Sequence, residues 1–172
     1  FGVFGNIQNN GTIVTENNGT RPGTVYLTQA SAMFGNGTYR IEQDLLFDAG
    51  FAPDSSTVEF YSDNTQQFIC AGTVGANITF HHLILSGTGA GSARKKSMKE
   101  SPAVTAEILR PTYGLDASID QLGGTLTIND RELDTDSNTC WVLNTDPAAV
   151  TNTTGTVGAE GFVSSIHEGA LA

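Results

Sequence analysis

The sequence predicts an all-β domain that folds as a β-solenoid, and three observations support this fold class. Short segments rich in β-branched and aromatic residues recur along the 172 residues, and Gly, Asn, Asp or Ser flank most of them. The 20 glycines suit the many turns that short strands require. Two segments, 24–50 and 57–89, open alike with Thr-Val and end alike in a Leu-rich strand before a glycine, as repeated units do.

Twelve strands are predicted, each rich in residues that favour extended backbone. The strand at 78–85 needs a bend, because Phe80 and Leu83 are three residues apart whereas side chains alternate along a strand. A bend or bulge at His81 and His82 brings both apolar residues onto the inner face. In chain order the predicted strands are 11–15, 24–28, 38–42, 44–48, 57–61, 67–71, 78–85, 106–110, 117–121, 125–129, 140–144 and 161–165.

Stacked turns of about thirty residues, each with three or so short strands, bury an apolar column that no single turn can bury. The alternative fold is an antiparallel β-sandwich. The similar openings of the repeated units favour the solenoid. In the second unit the residues predicted to point inward are Val58, Phe60, Phe68, Cys70, Ile78, Phe80, Leu83 and Leu85.

Charge and hydropathy argue against several classes of function. Acidic residues outnumber basic residues 18 to 8, and the resulting net charge of -10 opposes binding to nucleic acid. No apolar run of the sequence is long enough to span a bilayer. The first residues, FGVFGNIQNNGT, contain neither an initiator Met nor a signal peptide, so we expect a processed chain or a piece of a longer one. Residues 1–172 are therefore expected to form a single solenoid domain or a fragment of one.

The two cysteines, Cys70 and Cys140, lie far apart in the sequence and do not form a CxxC motif. Zinc binding is therefore not expected. One disulfide and two small buried thiols both remain open.

The stretch 57–89 resembles a recurrent unit of large surface and adhesin-like proteins of the Bacteroidetes. The stretches 115–130 and 161–172 resemble the elements that follow this unit. The resemblance implies a right-handed parallel β-helix in a secreted cell-surface protein, often exported by the type IX system and linked to adhesion or gliding motility. A charged segment at 91–107 departs from the pattern and is expected to be an insertion between turns. The positions that carry the match are Thr57, Val58, Phe60, Gln67, Ile69, Phe80, Leu83, Leu85 and Gly87.

An alternating run of acids marks a candidate metal site. In an extended strand this spacing places the carboxylates along one face, where they repel each other unless a cation lies between them. Calcium prefers such oxygen ligands, so the run predicts a calcium site, with a solvated acidic loop as the alternative. The candidate ligands are Asp130, Glu132, Asp134 and Asp136.

Three aromatic residues, Tyr26, Tyr61 and Trp141, are candidates for stacking on a glycan, although single aromatic residues more often pack against the protein. A polysaccharide-active β-helix would in addition need converging acids. The acids of the first half, such as Asp44 and Glu59, are predicted on separate strands, so no catalytic residue is assigned and no enzymatic activity is expected.

The basic residues cluster at Arg94, Lys95, Lys96 and Lys99. They are expected either in an exposed loop or in contact with an acidic surface of a partner. The adjacent histidines His81 and His82 point to opposite faces of an extended strand, so a structural role is expected for them rather than shared metal binding.

Together these observations predict a non-enzymatic structural module of an extracellular fibre or adhesin, which associates with further turns of its own or a neighbouring chain. The open ends of a solenoid are unpaired strand edges, which motivates the expectation of self-association. The alternatives are a polysaccharide-binding or polysaccharide-active β-helix protein and a segment of a phage or viral fibre. No cofactor is expected beyond the calcium of the acidic run.

Overall fold

The computed structural model describes residues 2–3, 6–16, 23–27, 32–47, 55–61, 66–70, 77–87, 95–98, 105–108, 112–113, 120–121, 124–129, 131–134, 139–153, 162–164 and 170–171. Across these ranges the chain is all-β: it forms short strands and one 3-10 turn, Pro147–Ala149, with no α-helix. The strands are β1 (Gly2–Val3), β2 (Asn6–Gln8), β3 (Thr12–Thr15), β4 (Val25–Leu27), β5 (Ala32–Phe34), β6 (Thr38–Ile41), β7 (Leu45–Phe47), β8 (Thr57–Phe60), β9 (Gln66–Cys70), β10 (Asn77–Phe80), β11 (His82–Leu85), β12 (Lys95–Met98), β13 (Thr105–Ile108), β14 (Thr112–Tyr113), β15 (Asp120–Gln121), β16 (Thr125–Asn129), β17 (Glu132–Asp134), β18 (Thr139–Val142), β19 (Val150–Thr153), β20 (Phe162–Ser164) and β21 (Ala170–Leu171).

Three larger sheets contain most of these strands. Sheet I has the order β1-β4-β7-β9-β12-β17-β20, sheet II has the order β3-β6-β8-β11-β16-β19, and sheet III has the order β10-β13-β18-β21. Strands β2 and β5 form a parallel pair of their own, and β14 and β15 form an antiparallel pair. Every pairing within sheets I, II and III is parallel. The alternative of an antiparallel β-sandwich is therefore wrong for the described strands.

The chain visits the sheets in a recurring order. From β9 onward it runs through sheet I, sheet III and sheet II, and the cycle then begins again with β12 in sheet I. Within each sheet the next strand in the sequence is also the next strand in space. Two parallel strands need a connection that returns the chain to the end at which the first strand began. Here that connection runs through strands of the other sheets.

The core is built from buried side chains of all three sheets, and along the inner strands of sheet II the side chains alternate between buried and partly exposed positions. Of the second unit's predicted inward residues, Val58, Phe60, Phe80, Leu83 and Leu85 are each 0% exposed, so these five predictions are confirmed. The two inner columns of sheet II, defined by strand register, are Ile13-Tyr39-Val58-Leu83-Leu126-Val150 and Thr15-Ile41-Phe60-Leu85-Ile128-Asn152.

The bend that Phe80 and Leu83 required is present. Strand β10 ends at Phe80, the chain bends at His81, and β11 begins at His82 in a different sheet. The two buried side chains therefore belong to two sheets, which explains their three-residue spacing.

The predicted equivalence of 24–50 and 57–89 is wrong in register. Strand β4, near the start of the first segment, lies in sheet I, whereas β8, at the start of the second, lies in sheet II. The neighbour of β8 is instead β6, with Tyr39 opposite Val58. Val25 and Val58 are both buried, so the two openings share the local pattern of a strand and not the same position in a repeat.

The charged segment 91–107, expected as an insertion between turns, contributes two strands to the sheets. Strand β12 lies between β9 and β17 in sheet I, and β13 lies between β10 and β18 in sheet III. In the described part of this segment, the backbone therefore continues the regular pairing.

Candidate functional site

The outer face of sheet II carries a connected set of polar side chains, which we call the Arg40 network: Arg40, Glu59, Tyr61 and Ser86. Arg40 and Glu59 are register neighbours on β6 and β8. Their neighbours in sequence, Tyr39 and Val58, are buried, so alternation directs Arg40 and Glu59 outward. The network therefore lies where a parallel sheet brings side chains from successive strands side by side.

Glu59 is the centre of the Arg40 network. Arg40 Nε donates to Glu59 Oε2 at 2.7 Å, and Ser86 Oγ donates to Glu59 Oε1 at 2.5 Å. Both carboxylate oxygens thus accept a hydrogen bond, and the Glu59 side chain links β6 and β8 to the residue directly after β11. The hydrogen bond to Glu59 raises the pKa of Arg40 above its usual value. Since the Arg40 side chain is 37% exposed, this ion pair is expected to contribute less than about 1 kcal/mol to stability.

Tyr61 extends the Arg40 network towards the edge strand β3. The Arg40 Cζ atom lies 4.5 Å from the centre of the Tyr61 ring, within the range of a cation–π contact. The Tyr61 hydroxyl donates to the backbone carbonyl oxygen of Thr15 at 2.8 Å. Partial burial, followed by the charges of Glu42 and Glu16, raises the pKa of Tyr61. Tyr61 therefore forms a stabilising contact across the sheet: its hydroxyl donates a hydrogen bond within the protein, and the Arg40 guanidinium lies over its ring.

A column of hydroxyl-bearing residues runs beside the Arg40 network at the first position of successive strands. His82 Nδ1 lies 3.0 Å from Thr125 Oγ1, so the histidine joins the column by a hydrogen bond. Farther along the same face, Thr151 Oγ1 donates to Thr127 Oγ1 at 3.2 Å. In register order the column is Thr12, Thr38, Thr57, His82 and Thr125.

His81 lies in the adjoining corner, immediately before β11. Backbone hydrogen bonds stack the corners on one another: His82 N donates to Ser56 O, and Thr125 N donates to His81 O. The residues at the equivalent corner position are small except for His81; they are Gly11, Gly37, Ser56, His81 and Gly124. His81 is only 9% exposed, and its ring meets that of His82 edge to face with 4.3 Å between the ring centres. The expected structural role fits this geometry, and His81 lies at the predicted bend.

The His81–His82 corner is expected to lose stability as the pH falls. Burial lowers the pKa of His81, and burial together with His81 lowers the pKa of His82. Both groups therefore favour the neutral form in the folded chain. Their contribution to the free energy of unfolding is fully present above the unfolded pKa of 6.5. It is lost as the pH falls through the lower pKa values that the two histidines have in the folded chain. Urea unfolding should thus show a lower free energy of unfolding at about pH 5.5 than at about pH 7.

The matched control for this pH dependence is the double variant His81→Ser with His82→Thr, which reproduces the sequence of the neighbouring corner, Ser56-Thr57. In this variant the free energy of unfolding should change less between the two pH values, because His167 is the only histidine left. An unchanged slope in the double variant would mean that these histidines do not titrate on folding.

The acidic run lies partly outside the described residues. Asp130 and Asp136 are outside them, whereas Glu132 and Asp134 occupy alternate positions of β17 on either side of the buried Leu133. Strand register places Lys95 of β12 beside Glu132 and Ser97 beside Asp134. Calcium binding by this run stays a prediction. Among the described residues no group of three or more His, Cys, Asp or Glu side chains is arranged to hold a metal ion.

The basic cluster is also only partly described. Arg94 and Lys99 lie outside the described residues, while Lys95 and Lys96 belong to β12, an inner strand of sheet I. These two lysines are therefore part of a sheet and do not lie in a loop. Their role in contact with a partner stays a prediction.

The three aromatic candidates for glycan binding lie on different sheets. Tyr26 is in β4 of sheet I, Tyr61 directly follows β8 of sheet II, and Trp141 is in β18 of sheet III. The structure thus does not gather them on one sheet face. Glycan stacking by any one of them stays a prediction.

Arg131 is a buried charged residue that the sequence did not predict. Arg131 is 0% exposed, and a Cβ added to Gly87 would collide with its Nη2 and Cζ atoms. The guanidinium therefore packs directly on the Gly87 backbone. Arg131 stands within the acidic run that was interpreted as a surface segment, and no local pattern in the sequence distinguishes a buried arginine there.

Cys140 is a free cysteine with a fully buried side chain. Its strand lies in sheet III, whereas Cys70 belongs to β9 of sheet I. Of the two alternatives left open by the sequence, a small buried thiol is the one found at Cys140. Burial raises the pKa of this thiol to about 12.

Cys140 is expected to resist alkylation in the folded chain. The thiolate is the reactive species, and both the raised pKa and the burial suppress it. In a Cys70→Ser variant, maleimide labelling followed by intact-mass measurement should therefore proceed slowly in buffer and rapidly in denaturant. Fast labelling of this variant under native conditions would contradict the buried position.

Comparison with known proteins adds no assignment for these residues: no family model, curated protein or solved structure matches the chain. No helix within the described ranges has the length and apolar character needed to cross a membrane.

Proposed function

We propose that the chain is a structural module of an extracellular cell-surface fibre or adhesin, built as a right-handed parallel β-solenoid whose turns stack on further turns of its own or a neighbouring chain. The observation that carries the proposal is the recurring passage of the chain through sheets I, III and II, with parallel pairing to the preceding strand at each return. A chain that winds in this way adds one strand to each sheet per turn.

The division of residues between the two faces of sheet II supports a structural role. The inner columns are apolar through the middle of the sheet, whereas the outer face bears threonines and the Arg40 network. The contacts of that network are internal: Glu59 links β6 and β8 to the residue directly after β11, and Tyr61 reaches back to β3. Such cross-strand contacts stabilise the stack of strands and fix its register.

The extracellular surface location rests on the resemblance of 57–89 to units of Bacteroidetes surface proteins and on the acidic composition of the chain. A net charge of -10 opposes nucleic-acid partners and favours a soluble surface. Mild proteolysis of intact cells that make the protein, followed by immunodetection, tests the location. Release from intact cells is expected, and full protection until the cells are lysed would refute it.

The solenoid winding is tested by cysteine pairs within one chain. Thr38 and Thr57 are register neighbours, so Thr38→Cys with Thr57→Cys should form an internal disulfide, because their Cα atoms lie about 4.8 Å apart in a parallel sheet. Thr38→Cys with Thr125→Cys is the matched control, since two strands lie between these positions. Electron cryomicroscopy should then show an elongated stack, whereas a compact two-layer particle would overturn the winding.

A further inference from the structure

Two Asn-Gly pairs lie at stacked corners of the chain, and both are able to modify themselves chemically. Asn10-Gly11 lies in the bend between β2 and β3, and Asn36-Gly37 lies in the bend between β5 and β6. Both asparagine side chains are exposed, so water reaches them. The remaining Asn-Gly pair of the sequence, at 18–19, lies outside the described residues.

An asparagine that precedes a glycine is prone to deamidation, because glycine has no side chain that hinders attack by its own backbone nitrogen. That nitrogen gives up its proton and attacks the Cγ atom of the asparagine. The bond from Cγ to Nδ2 breaks, and ammonia leaves with the proton. Water then adds to one of the two carbonyl groups of the cyclic imide and opens it to aspartate or isoaspartate, so that one water is consumed for each ammonia released.

In the folded chain Asn9 holds the attacking nitrogen of both pairs. Gly11 N donates to Asn9 Oδ1, and Gly37 N donates to the backbone carbonyl oxygen of Asn9, each at 2.9 Å. Asn9 is 6% exposed and is itself fixed, since its N donates to Phe34 O and its Nδ2 donates to Thr38 O. A backbone nitrogen in such a hydrogen bond must break it before it attacks the neighbouring side chain.

We propose that Asn10 and Asn36 are self-modification sites, and that Asn9 keeps both of them unreactive while the two corners are stacked. Asn9 uses two different oxygens, one in its side chain and one in its main chain. A substitution of its side chain therefore releases Asn10, whereas Asn36 stays protected by a carbonyl oxygen that every residue type carries. This protection acts within the fold and is independent of where the protein is located.

The corners also show what the modification would change. Thr38 N donates to Gly11 O at 2.8 Å, and Thr57 N donates to Gly37 O at 3.0 Å, so these glycines join three successive corners. Isoaspartate adds a methylene group to the main chain directly before such a glycine. Its formation would displace the glycine carbonyl from the corner of the next turn, and a brief opening of the corner would become a lasting defect in the stack.

Deamidation rates test the proposal on the whole chain. The protein is incubated in mildly alkaline buffer beside two synthetic peptides, 6–14 and 33–41, which give the rates without the fold. Peptide mapping with electron-transfer fragmentation separates isoaspartate from aspartate and locates each. Both Asn10 and Asn36 are expected to react at least about fivefold more slowly in the folded chain than in the peptides, since one hydrogen bond changes a rate by about that factor.

Two substitutions of Asn9 separate the hydrogen bond from general stability. Asn9→Ala removes the acceptor of Gly11 N but keeps the carbonyl that accepts from Gly37 N, so Asn10 should react faster while Asn36 stays slow. Asn9→Asp is the matched control: its carboxylate still accepts from Gly11 N, but it no longer donates to Thr38 O. In this variant Asn10 should stay slow, although the corner has lost a hydrogen bond and gained a charge.

Each outcome decides the proposal. Slow reaction at both sites in the wild-type chain, with faster reaction confined to Asn10 in Asn9→Ala, supports it. Wild-type rates equal to those of the peptides would overturn it. So would an Asn10 that stays slow in a folded Asn9→Ala, or one that reacts equally fast in a folded Asn9→Asp, because the Oδ1 contact would then not set the rate. Circular dichroism reports which variants are folded, and if Asn9→Ala is not, the wild-type chain and Asn9→Asp decide.

Discussion

Replacing Gly35 by alanine is expected to lower the free energy of unfolding by roughly 2–5 kcal/mol, the combined effect of backbone strain and overpacking. Gly35 has a φ of +111°, a conformation that side chains other than hydrogen rarely permit. A Cβ at this position would also collide with the carbonyl oxygen of Asn9 and lie 3.0 Å from both the Asn9 backbone nitrogen and its carbonyl carbon.

The backbone around Asn9 has little freedom to relieve this collision. Asn9 N donates to Phe34 O, and Gly37 N donates to Asn9 O, each at 2.9 Å. The Asn9 side chain donates from Nδ2 to Thr38 O and accepts from Gly11 N. Moving Asn9 away from a new Cβ would therefore break contacts that hold the β2–β3 corner on the β5–β6 corner.

Gly11→Ala is the matched control for Gly35→Ala. At Gly11 the nearest atom to an added Cβ is Asn9 Oδ1 at 3.8 Å, an ordinary contact distance, and its φ lies outside the left-handed region. Its substitution should change stability by less than about 1 kcal/mol. Urea unfolding followed by circular dichroism measures both variants, and equal losses in the two would show that the corner contacts do not set the cost at Gly35.

The alternation of apolar and polar residues was sufficient to predict the strands in which every second side chain is buried. The predicted strand 125–129 has the same bounds as β16, and 57–61 contains β8. Patterns failed for β12, with sequence KKSM, and for β17, with sequence ELD. Both lie inside sheet I with a neighbour on each side, so the backbone pairing of the sheet continues through segments that are too short or too polar to be recognised in the sequence.

The register between strands was not predictable from a uniform repeat. The separation of register neighbours in sheet II ranges from 19 residues, between Arg40 and Glu59, to 43 residues, between His82 and Thr125. Insertions in connections change the spacing at little energetic cost, because the entropy of closing a loop grows slowly with its length. For the same reason the Arg40 network could not be found in advance: its members lie at unrelated positions in the sequence and meet only through the sheet.

Leu83→Ala is expected to lower the free energy of unfolding by about 2–5 kcal/mol, because it removes buried methyl groups and leaves a cavity that the surroundings fill only partly. Leu83 is 0% exposed and lies in register between Val58 and Leu126, which are also 0% exposed. The neighbouring residue supplies the control: Ile84 is half-buried on the outer face, between Glu59 and Thr127, and Ile84→Ala should cost less than about 1.5 kcal/mol. Urea unfolding of the pair measures the difference between the two faces of β11. A loss for Ile84→Ala as large as that for Leu83→Ala would mean that sheet II is covered on both faces, and that the apolar columns beneath it are not the core of this chain.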